Sequence, residues 1–151
     1  NSSNSSAFIS SAQLLADADE VWKAYAKAGL ITDHETGDTG NNYSFSQCTW
    51  WVYIRRHQLG LTAGSLMGNG NQWANTARSL GYSVSNTPMV GDVMVFAAGQ
   101  EGSDGYYGHV AIVEGITTDG SVITSECGAS RNGQPYSRVI SNPSRFEYIH
   151  Y

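Results

Sequence analysis

The sequence has few charged residues and no long apolar run, and its charge is mostly of one sign. Only 14% of its 151 residues are charged, with 8 Lys and Arg against 13 Asp and Glu, for a net charge of −5. The cations do not gather into a basic patch, so we expect no binding to nucleic acid. No apolar stretch approaches the roughly 20 residues of a membrane-spanning helix, so we expect no membrane insertion.

Cysteine is also scarce. The two cysteines allow one disulfide but not a disulfide framework. Together with the four histidines, they lack the CxxC and HExxH spacings that are typical of zinc sites. We therefore predict no metal and no cofactor.

Glycine and aromatic residues are abundant instead. Seventeen Gly, nine Tyr and four Trp predict many turns and a polar surface lined with aromatic side chains. The length suits one domain with a single core. Helical patterns come first along the chain and a run of short strands follows, which is typical of an α+β fold with an antiparallel sheet.

The N-terminal 42 residues precede the main domain. Residues 1–9 begin with Asn and Ser only, and they are predicted to be a flexible linker within a longer chain. A capping box at 10–13 and apolar residues at helical spacing up to Gly29 predict a helix, followed by a loop over 31–42. The predicted organisation is therefore a linker, then a helix and loop at 10–42, and then a domain at 43–151.

The stretch 43–51 contains Cys48 close to the start of a predicted helix. Ser46 is a good N-cap, and the apolar run continues to Leu59 before Gly60 stops it. A cysteine in the first helical turn is close to unpaired N–H groups and to the positive end of the helix dipole, which favour a thiolate. The alternative is a buried, inert cysteine.

His109 is the histidine best placed to act on a thiol. It follows a glycine-rich loop and begins a predicted strand, where the backbone leaves room for a ligand. A nucleophilic cysteine needs such a base within hydrogen-bond reach, and the base needs a third group to orient it. The alternative for His109 is a half-exposed strand histidine without a catalytic role.

The hairpin that follows offers the third group. If residues 117–120 form its loop, Ala111 pairs with Glu126, and His109 lies diagonally across from Glu126 on one sheet face. The alternative for Glu126 is an exposed strand glutamate. The same alternation directs Cys127 to the other face, so we expect no disulfide between the two cysteines.

Four motifs occur in one order along the chain: Gln47-Cys48-Thr49-Trp50, Gly68-Asn69-Gly70-Asn71-Gln72-Trp73, Gly91-Asp92-Val93-Met94-Val95-Phe96 and Gly108-His109-Val110-Ala111-Ile112-Val113. Together they resemble the CHAP domain, the cysteine- and histidine-dependent amidohydrolase/peptidase family of bacterial and phage cell-wall hydrolases. The resemblance covers 43–151. It implies a papain-like fold and cleavage of an amide bond in peptidoglycan, with Cys48 as the nucleophile, His109 as the base and Glu126 as the acid that orients it.

The mechanism that the resemblance implies also needs an oxyanion site and substrate contacts. The candidates are the Cys48 backbone N–H, Gln47, Tyr43 and Trp73. Many family members carry an Asn two residues after the orienting acid, where this chain has Gly128, so a fourth polar catalytic residue is in doubt. Some phage members bind calcium through acids before the cysteine. Residues 41–45 hold no carboxylate here, so we predict no calcium site.

The function that this implies is a peptidoglycan hydrolase that works through a cysteine thioester. It would cut the N-acetylmuramoyl-L-alanine amide or a stem or cross-bridge peptide, as a secreted or cell-wall associated domain of bacterial or phage origin that is monomeric in isolation. One alternative is a papain-like cysteine protease or acyltransferase that acts on protein. Another is an inactive module that binds the cell wall or a partner protein, and reaction of Cys48 with a thiol reagent at neutral pH would argue against it.

Overall fold

A computed structural model describes residues 6–30 and 34–151 of the chain. Within them, three α-helices pack with one seven-stranded antiparallel sheet, which confirms the predicted α+β fold. The helices are α1 (Ala18–Lys27), α2 (Cys48–Gln58) and α3 (Trp73–Ser79). The strands are β1 (Ser6–Ile9), β2 (Val84–Ser85), β3 (Val93–Phe96), β4 (His109–Ile116), β5 (Val122–Ser125), β6 (Ser137–Ile140) and β7 (Glu147–Ile149), in the sheet order β1-β6-β5-β4-β3-β7-β2. Every helix among the described residues is too short or too polar to cross a bilayer.

Strand β4 lies at the centre of the fold because residues 110–113 are apolar and buried on both sheet faces. One face carries α2 and α3, and its core includes Trp73 and Ile112. The opposite face has a second apolar core that includes Phe96 and Val113. Helix α2 packs directly on β4, which brings the start of the helix against the start of the strand.

The beginning of the chain differs from the prediction. Residues 6–9, predicted as part of a linker over 1–9, form β1 and pair with β6. The ring of Phe8 packs against that of Tyr136, with 5.1 Å between their centroids, which helps to hold this strand in place. Residues 1–5 lie outside the described residues.

The first helix is shorter than predicted. It starts only after Asp17, whose carboxylate accepts the Glu20 N–H at 3.1 Å, so the capping box predicted at 10–13 is not used. Upstream, the Ala12 N–H donates to the Pro135 carbonyl oxygen at 3.1 Å. Residues 10–17 are non-helical because backbone groups there bond to the domain instead of to one another. In the predicted loop, 34–42 contain no helix or strand, and 31–33 lie outside the described residues.

Helix α2 starts in the predicted place but with a different cap. Gln47 is the N-cap and makes no side-chain capping bond. Ser46, the predicted N-cap, is buried and has a left-handed φ of 71°. Its Oγ donates to the Gly128 carbonyl oxygen at 2.7 Å and accepts the Gly133 N–H at 2.8 Å. Ser46 therefore fastens the chain before α2 to the loop at 128–133.

The β4–β5 hairpin contains a bulge at Glu114. Next to the loop, Ile116 lies opposite Val122. A loop over 117–120 predicts Ser121 there, so the observed register differs by one residue. The extra residue in β4 shifts the pairing, and beyond it Ile112 lies opposite Ser125. The prediction is therefore wrong at the loop and right at the far end of the hairpin.

Candidate active site

A cleft of about 610 Å³ lies where the start of α2 meets the start of β4. Cys48 is the first residue of α2, His109 is the first residue of β4, and Glu126 directly follows β5. Cys48 and His109 line the cleft, whereas Glu126 lies behind His109 and has no exposed surface. The fold thus brings the three predicted catalytic residues to one place.

Hydrogen bonds join these three side chains. Nε2 of His109 lies 2.7 Å from Oε1 of Glu126, and the Cys48 thiol is a second hydrogen-bond partner of the imidazole. The Glu126 side chain is fully buried, and 13% of the His109 side chain is exposed. The imidazole therefore lies between a buried carboxylate and a thiol that borders the cleft.

The surroundings favour a charge on each of the three groups. Burial by itself would raise the pKa of the Cys48 thiol, but the hydrogen bond and charge of His109 outweigh it and lower that pKa. Burial disfavours the imidazolium too, yet the bonds to Cys48 and Glu126 raise the pKa of His109 to about 9. Burial also opposes the Glu126 carboxylate, but His109 and Arg138 lower its pKa to about 2. The arrangement therefore favours a thiolate–imidazolium pair beside a carboxylate.

Two glycines allow a neighbouring turn to hold the backbone of His109. A Cβ atom on Gly70 would lie 2.6 Å from the His109 nitrogen, and one on Gly108 would lie 2.5 Å from the Phe96 carbonyl oxygen. Gly108 also has a φ of 68°, the left-handed conformation that favours glycine. Two of the four motifs thus meet here, because the 3-10 turn at 70–72 packs directly on the residue that carries the imidazole.

Two of the predicted oxyanion donors lie at the cleft. Cys48 is the first helical residue, so its backbone N–H has no partner within the helix, and Gln47 lines the cleft beside it. Tyr43 also lines the cleft, but its hydroxyl donates to the Gly64 carbonyl oxygen at 2.6 Å and accepts the Met67 N–H at 3.0 Å. The prediction of Tyr43 as a donor is therefore wrong, because its proton is already used.

Trp73, predicted as a substrate contact, belongs to the core instead. It is 1% exposed, and its indole N–H donates to the Gly68 carbonyl oxygen at 3.1 Å. Gly68 lines the cleft, whereas Trp73 does not. Trp73 therefore supports the wall of the cleft from behind.

Cys127 forms no disulfide with Cys48, as predicted. Both cysteines are free, and Cys127 is buried with its sulfur 3.6 Å from Ser46 Oγ. It lines the same cleft as Cys48. Cys127 therefore points to the face opposite Glu126, as predicted, but α2 covers that face, so Cys127 also borders the cleft.

Two residues that hold Glu126 in place were not predicted from the sequence. Arg138, in β6, donates from Nε to Oε2 at 3.0 Å and from Nη2 to Oε1 at 2.7 Å. Thr124 donates its hydroxyl to Oε2. Strand alternation places Thr124 on the same face as Glu126, and a buried carboxylate calls for a cation. Those two signals were present, but the sequence did not identify which cation would reach the site.

The described residues contain no group of three or more His, Cys, Asp or Glu side chains arranged to hold a metal ion. Asp38, an acid close to the segment at 41–45, bonds to the Tyr53 hydroxyl at 2.5 Å and to His57 at 2.7 Å. The absence of a calcium site stays a prediction that a chelator can test.

Comparison with known sequences gives a match to one family. Residues 38–128 match the model of the CHAP domain. The Staphylococcus aureus protein named "Probable autolysin LDP" is 40% identical over 111 residues, which are 74% of this chain and 38% of that protein. The staphylococcal secretory antigen SsaA of the same species is 42% identical over 113 residues, which are 73% of this chain and 41% of that protein.

A solved structure is similar as well. The crystal structure of an N-acetylmuramoyl-L-alanine amidase from Staphylococcus aureus superposes with a TM-score of 0.69 at 35% identity, covering 83% of this chain and 36% of that chain. The chain therefore spans less than half the length of each of these three relatives.

Proposed function

Because this chain belongs to the CHAP domain family, we propose that it hydrolyses an amide bond of peptidoglycan through a thioester on Cys48. The observation that supports this most strongly is the hydrogen-bonded series of Cys48, His109 and Glu126 at the cleft. It contains a thiol with a lowered pKa, a base in contact with it and a buried acid that orients the base.

In the proposed reaction, the Cys48 thiolate attacks the scissile carbonyl carbon and forms a carbon–sulfur bond. The C–N bond then breaks as the His109 imidazolium gives its proton to the leaving amine, and a thioester remains. Neutral imidazole next takes a proton from water, and the resulting hydroxide attacks the thioester. The carbon–sulfur bond breaks, the carboxylic acid leaves, and the thiolate–imidazolium pair is restored.

The oxyanion of each tetrahedral intermediate would lie at the start of α2. The Cys48 backbone N–H is the first donor, and the Gln47 side-chain amide is the second. Glu126 accepts the Nε2–H of His109, which leaves the other ring nitrogen for the thiol and stabilises the imidazolium.

The substrate bond comes from the names of the relatives. The similar solved structure is an N-acetylmuramoyl-L-alanine amidase, so the amide between N-acetylmuramic acid and L-alanine is our first candidate. A stem or cross-bridge peptide bond is the second. The names autolysin and secretory antigen support action outside the cell, at the wall.

Digestion of purified bacterial cell walls tests this proposal. The wild-type domain and Cys48→Ser are incubated with the same wall preparation, and newly freed amino groups are identified by mass spectrometry. A new L-alanine N-terminus with the wild type alone is the expected result. A different freed amine would still support a peptidoglycan hydrolase, but one that cuts another amide bond. No freed amine, or equal release by both proteins, would refute the proposal.

A further inference from the structure

We infer that Arg138 is a positioning residue for the proposed reaction, since its guanidinium clamps the Glu126 carboxylate in the orientation that His109 requires. This inference rests on the proposed function, and it adds a residue that lies outside the matched family region at 38–128. Its basis is the pair of hydrogen bonds from Arg138 to both carboxylate oxygens, at 2.7 and 3.0 Å.

The contacts of Glu126 leave it little freedom. Oε1 accepts from both His109 Nε2 and Arg138 Nη2, and each of these distances is 2.7 Å. Oε2 accepts from Arg138 Nε and from the Thr124 hydroxyl. A planar guanidinium that donates two bonds to one carboxylate fixes the plane of that carboxylate as well as its position. Oε1 is thereby held in line with the imidazole.

Arg138 is itself held from several sides. Its Nη1 donates to the Glu101 carbonyl oxygen at 2.7 Å, and its guanidinium carbon lies 5.2 Å from the centre of the Phe96 ring. In the sheet it is paired with Phe8 of β1, so the N-terminal strand supports the strand that carries it.

The charges alternate along this part of the site. The titratable and charged groups near Glu126 are Cys48, His109, Tyr136 and Arg138, with Glu101 beyond Arg138 and Arg131 beyond Tyr136. The cation of Arg138 offsets part of the field that the Glu126 carboxylate exerts on the imidazolium. Loss of the Arg138 charge should therefore stabilise the His109 imidazolium. Loss of its two parallel hydrogen bonds should leave the Glu126 carboxylate poorly oriented. The two effects can be separated.

The test compares two variants. Arg138→Gln removes both the positive charge and the two parallel N–H donors, whereas Arg138→Lys keeps the charge but cannot donate two parallel hydrogen bonds. Arg145→Gln is the matched control, because Arg145 contacts Glu101 but not Glu126. Two quantities are measured: kcat on cell wall, and the pH dependence of Cys48 alkylation by iodoacetamide, read at the Cys48 peptide by mass spectrometry. The second needs no cell-wall substrate, so it tests the inference even if the proposed function fails.

We expect Arg138→Gln to lower kcat about 10- to 100-fold with little change in KM. It should also move to higher pH the alkaline step of the alkylation profile, at which the imidazolium loses its proton and the reactivity of the Cys48 thiolate changes. Arg138→Lys should lose a similar factor in kcat, with the alkaline step of its alkylation profile unmoved. On a Glu126→Gln background, Arg138→Gln should add less than about threefold, because both changes act through one carboxylate. If Arg138→Gln does not fold, the Lys variant alone must show the loss in kcat with an unmoved alkaline step.

Several results would overturn the inference. One is wild-type kcat and alkylation in Arg138→Gln, and another is full kcat in Arg138→Lys. The same losses in Arg145→Gln would indicate a general effect of the neighbouring loop. Losses that multiply fully with those of Glu126→Gln would show that Arg138 does not act through that acid.

Discussion

Two buried glutamates of the β4–β5 hairpin region, Glu126 and Glu114, have partners of nearly the same chemical types. Each carboxylate accepts from Nε and Nη2 of an arginine, Arg138 for Glu126 and Arg55 for Glu114. Each also accepts a hydroxyl from β5. Thr124 supplies that hydroxyl to Glu126 and its chain neighbour Ser125 supplies it to Glu114, on opposite faces of the sheet.

The third partner residue distinguishes the two sites. Glu114 accepts the backbone N–H of Ala16 at 2.9 Å, and Arg55 donates to the Ala16 carbonyl oxygen at 3.0 Å. That pair therefore fastens the N-terminal segment to the domain. Glu126 accepts from His109, which reaches a thiol at the cleft. A buried arginine–glutamate pair is thus not evidence of catalysis, and the chemical role depends on whether a titratable group connects the pair to a cleft.

The largest expected effect on lysis comes from changing Cys48 and His109, which have no counterpart at the Glu114 site. Cys48→Ser and His109→Ala should each lower cell-wall lysis by at least about 1,000-fold, because each removes a different step of the acyl transfer. Turbidity loss of a wall suspension measures the activity, and circular dichroism checks the fold. Substantial lysis by either folded variant would remove the distinction between the two sites.

Glu114→Ala should show the opposite pattern to the catalytic variants. It leaves Arg55 buried without its carboxylate, and breaking such a pair costs about 3–5 kcal/mol in the free energy of unfolding. Activity per folded molecule should stay close to wild type, because the hydrogen-bond partners of the Glu114 side chain, which are Ala16, Arg55 and Ser125, do not line the cleft. Denaturant unfolding and lysis assays at a temperature where the variant is folded give the two numbers. Wild-type stability with strongly reduced lysis would mean that the roles of the two glutamates are reversed.

Glu126→Gln should have a milder effect on rate and a distinct effect on pH dependence. An amide oxygen can still accept the imidazole N–H, so we expect a loss of about 100-fold, the lower end of what a positioned acid–base group contributes. The carboxylate contributes to raising the pKa of His109 to about 9, so its removal should lower that pKa. The alkaline limb of the pH–rate profile reports loss of the imidazolium proton and should move to lower pH in the variant. An unmoved limb in the pH–rate series would contradict the role given to Glu126.

The smallest expected effect is that of a chelator. Residues 41–45 carry no carboxylate, and the described residues hold no cluster of three ligating side chains, so EDTA should leave lysis unchanged. The assay is the same wall suspension with EDTA, followed by added calcium. Loss of activity that calcium restores would contradict this, and it would direct the search to Asp33, Glu35 and Asp38.

The parts of the site that depend on local pattern were predictable. Cys48 at a helix start and His109 at a strand start follow from neighbouring residues, and alternation along β5 placed Glu126 on the right face. The fold class followed from the order of helical and strand patterns. These predictions need no knowledge of distant partners.

The rest depends on contacts between distant segments. Ser46 has the composition of an N-cap, but Gly128 and Gly133 engage its hydroxyl instead. Arg138 reaches Glu126 only because β6 pairs with β5, and no local pattern separates it from the other arginines. At the bulge, Glu114 pairs with Arg55, a distant residue that no local pattern identifies as its partner.

The central claim is that Cys48 is a thiolate because His109, held by Glu126, is protonated beside it. Ultraviolet difference absorbance between the wild type and Cys48→Ser, followed against pH, measures that thiolate directly. We predict that the Cys48 thiolate forms below the ordinary thiol pKa of about 8.5, and that its formation shifts to higher pH in His109→Ala. A Cys48 thiolate that forms only at or above about pH 8.5 in the wild type, with the same titration in His109→Ala, would contradict it.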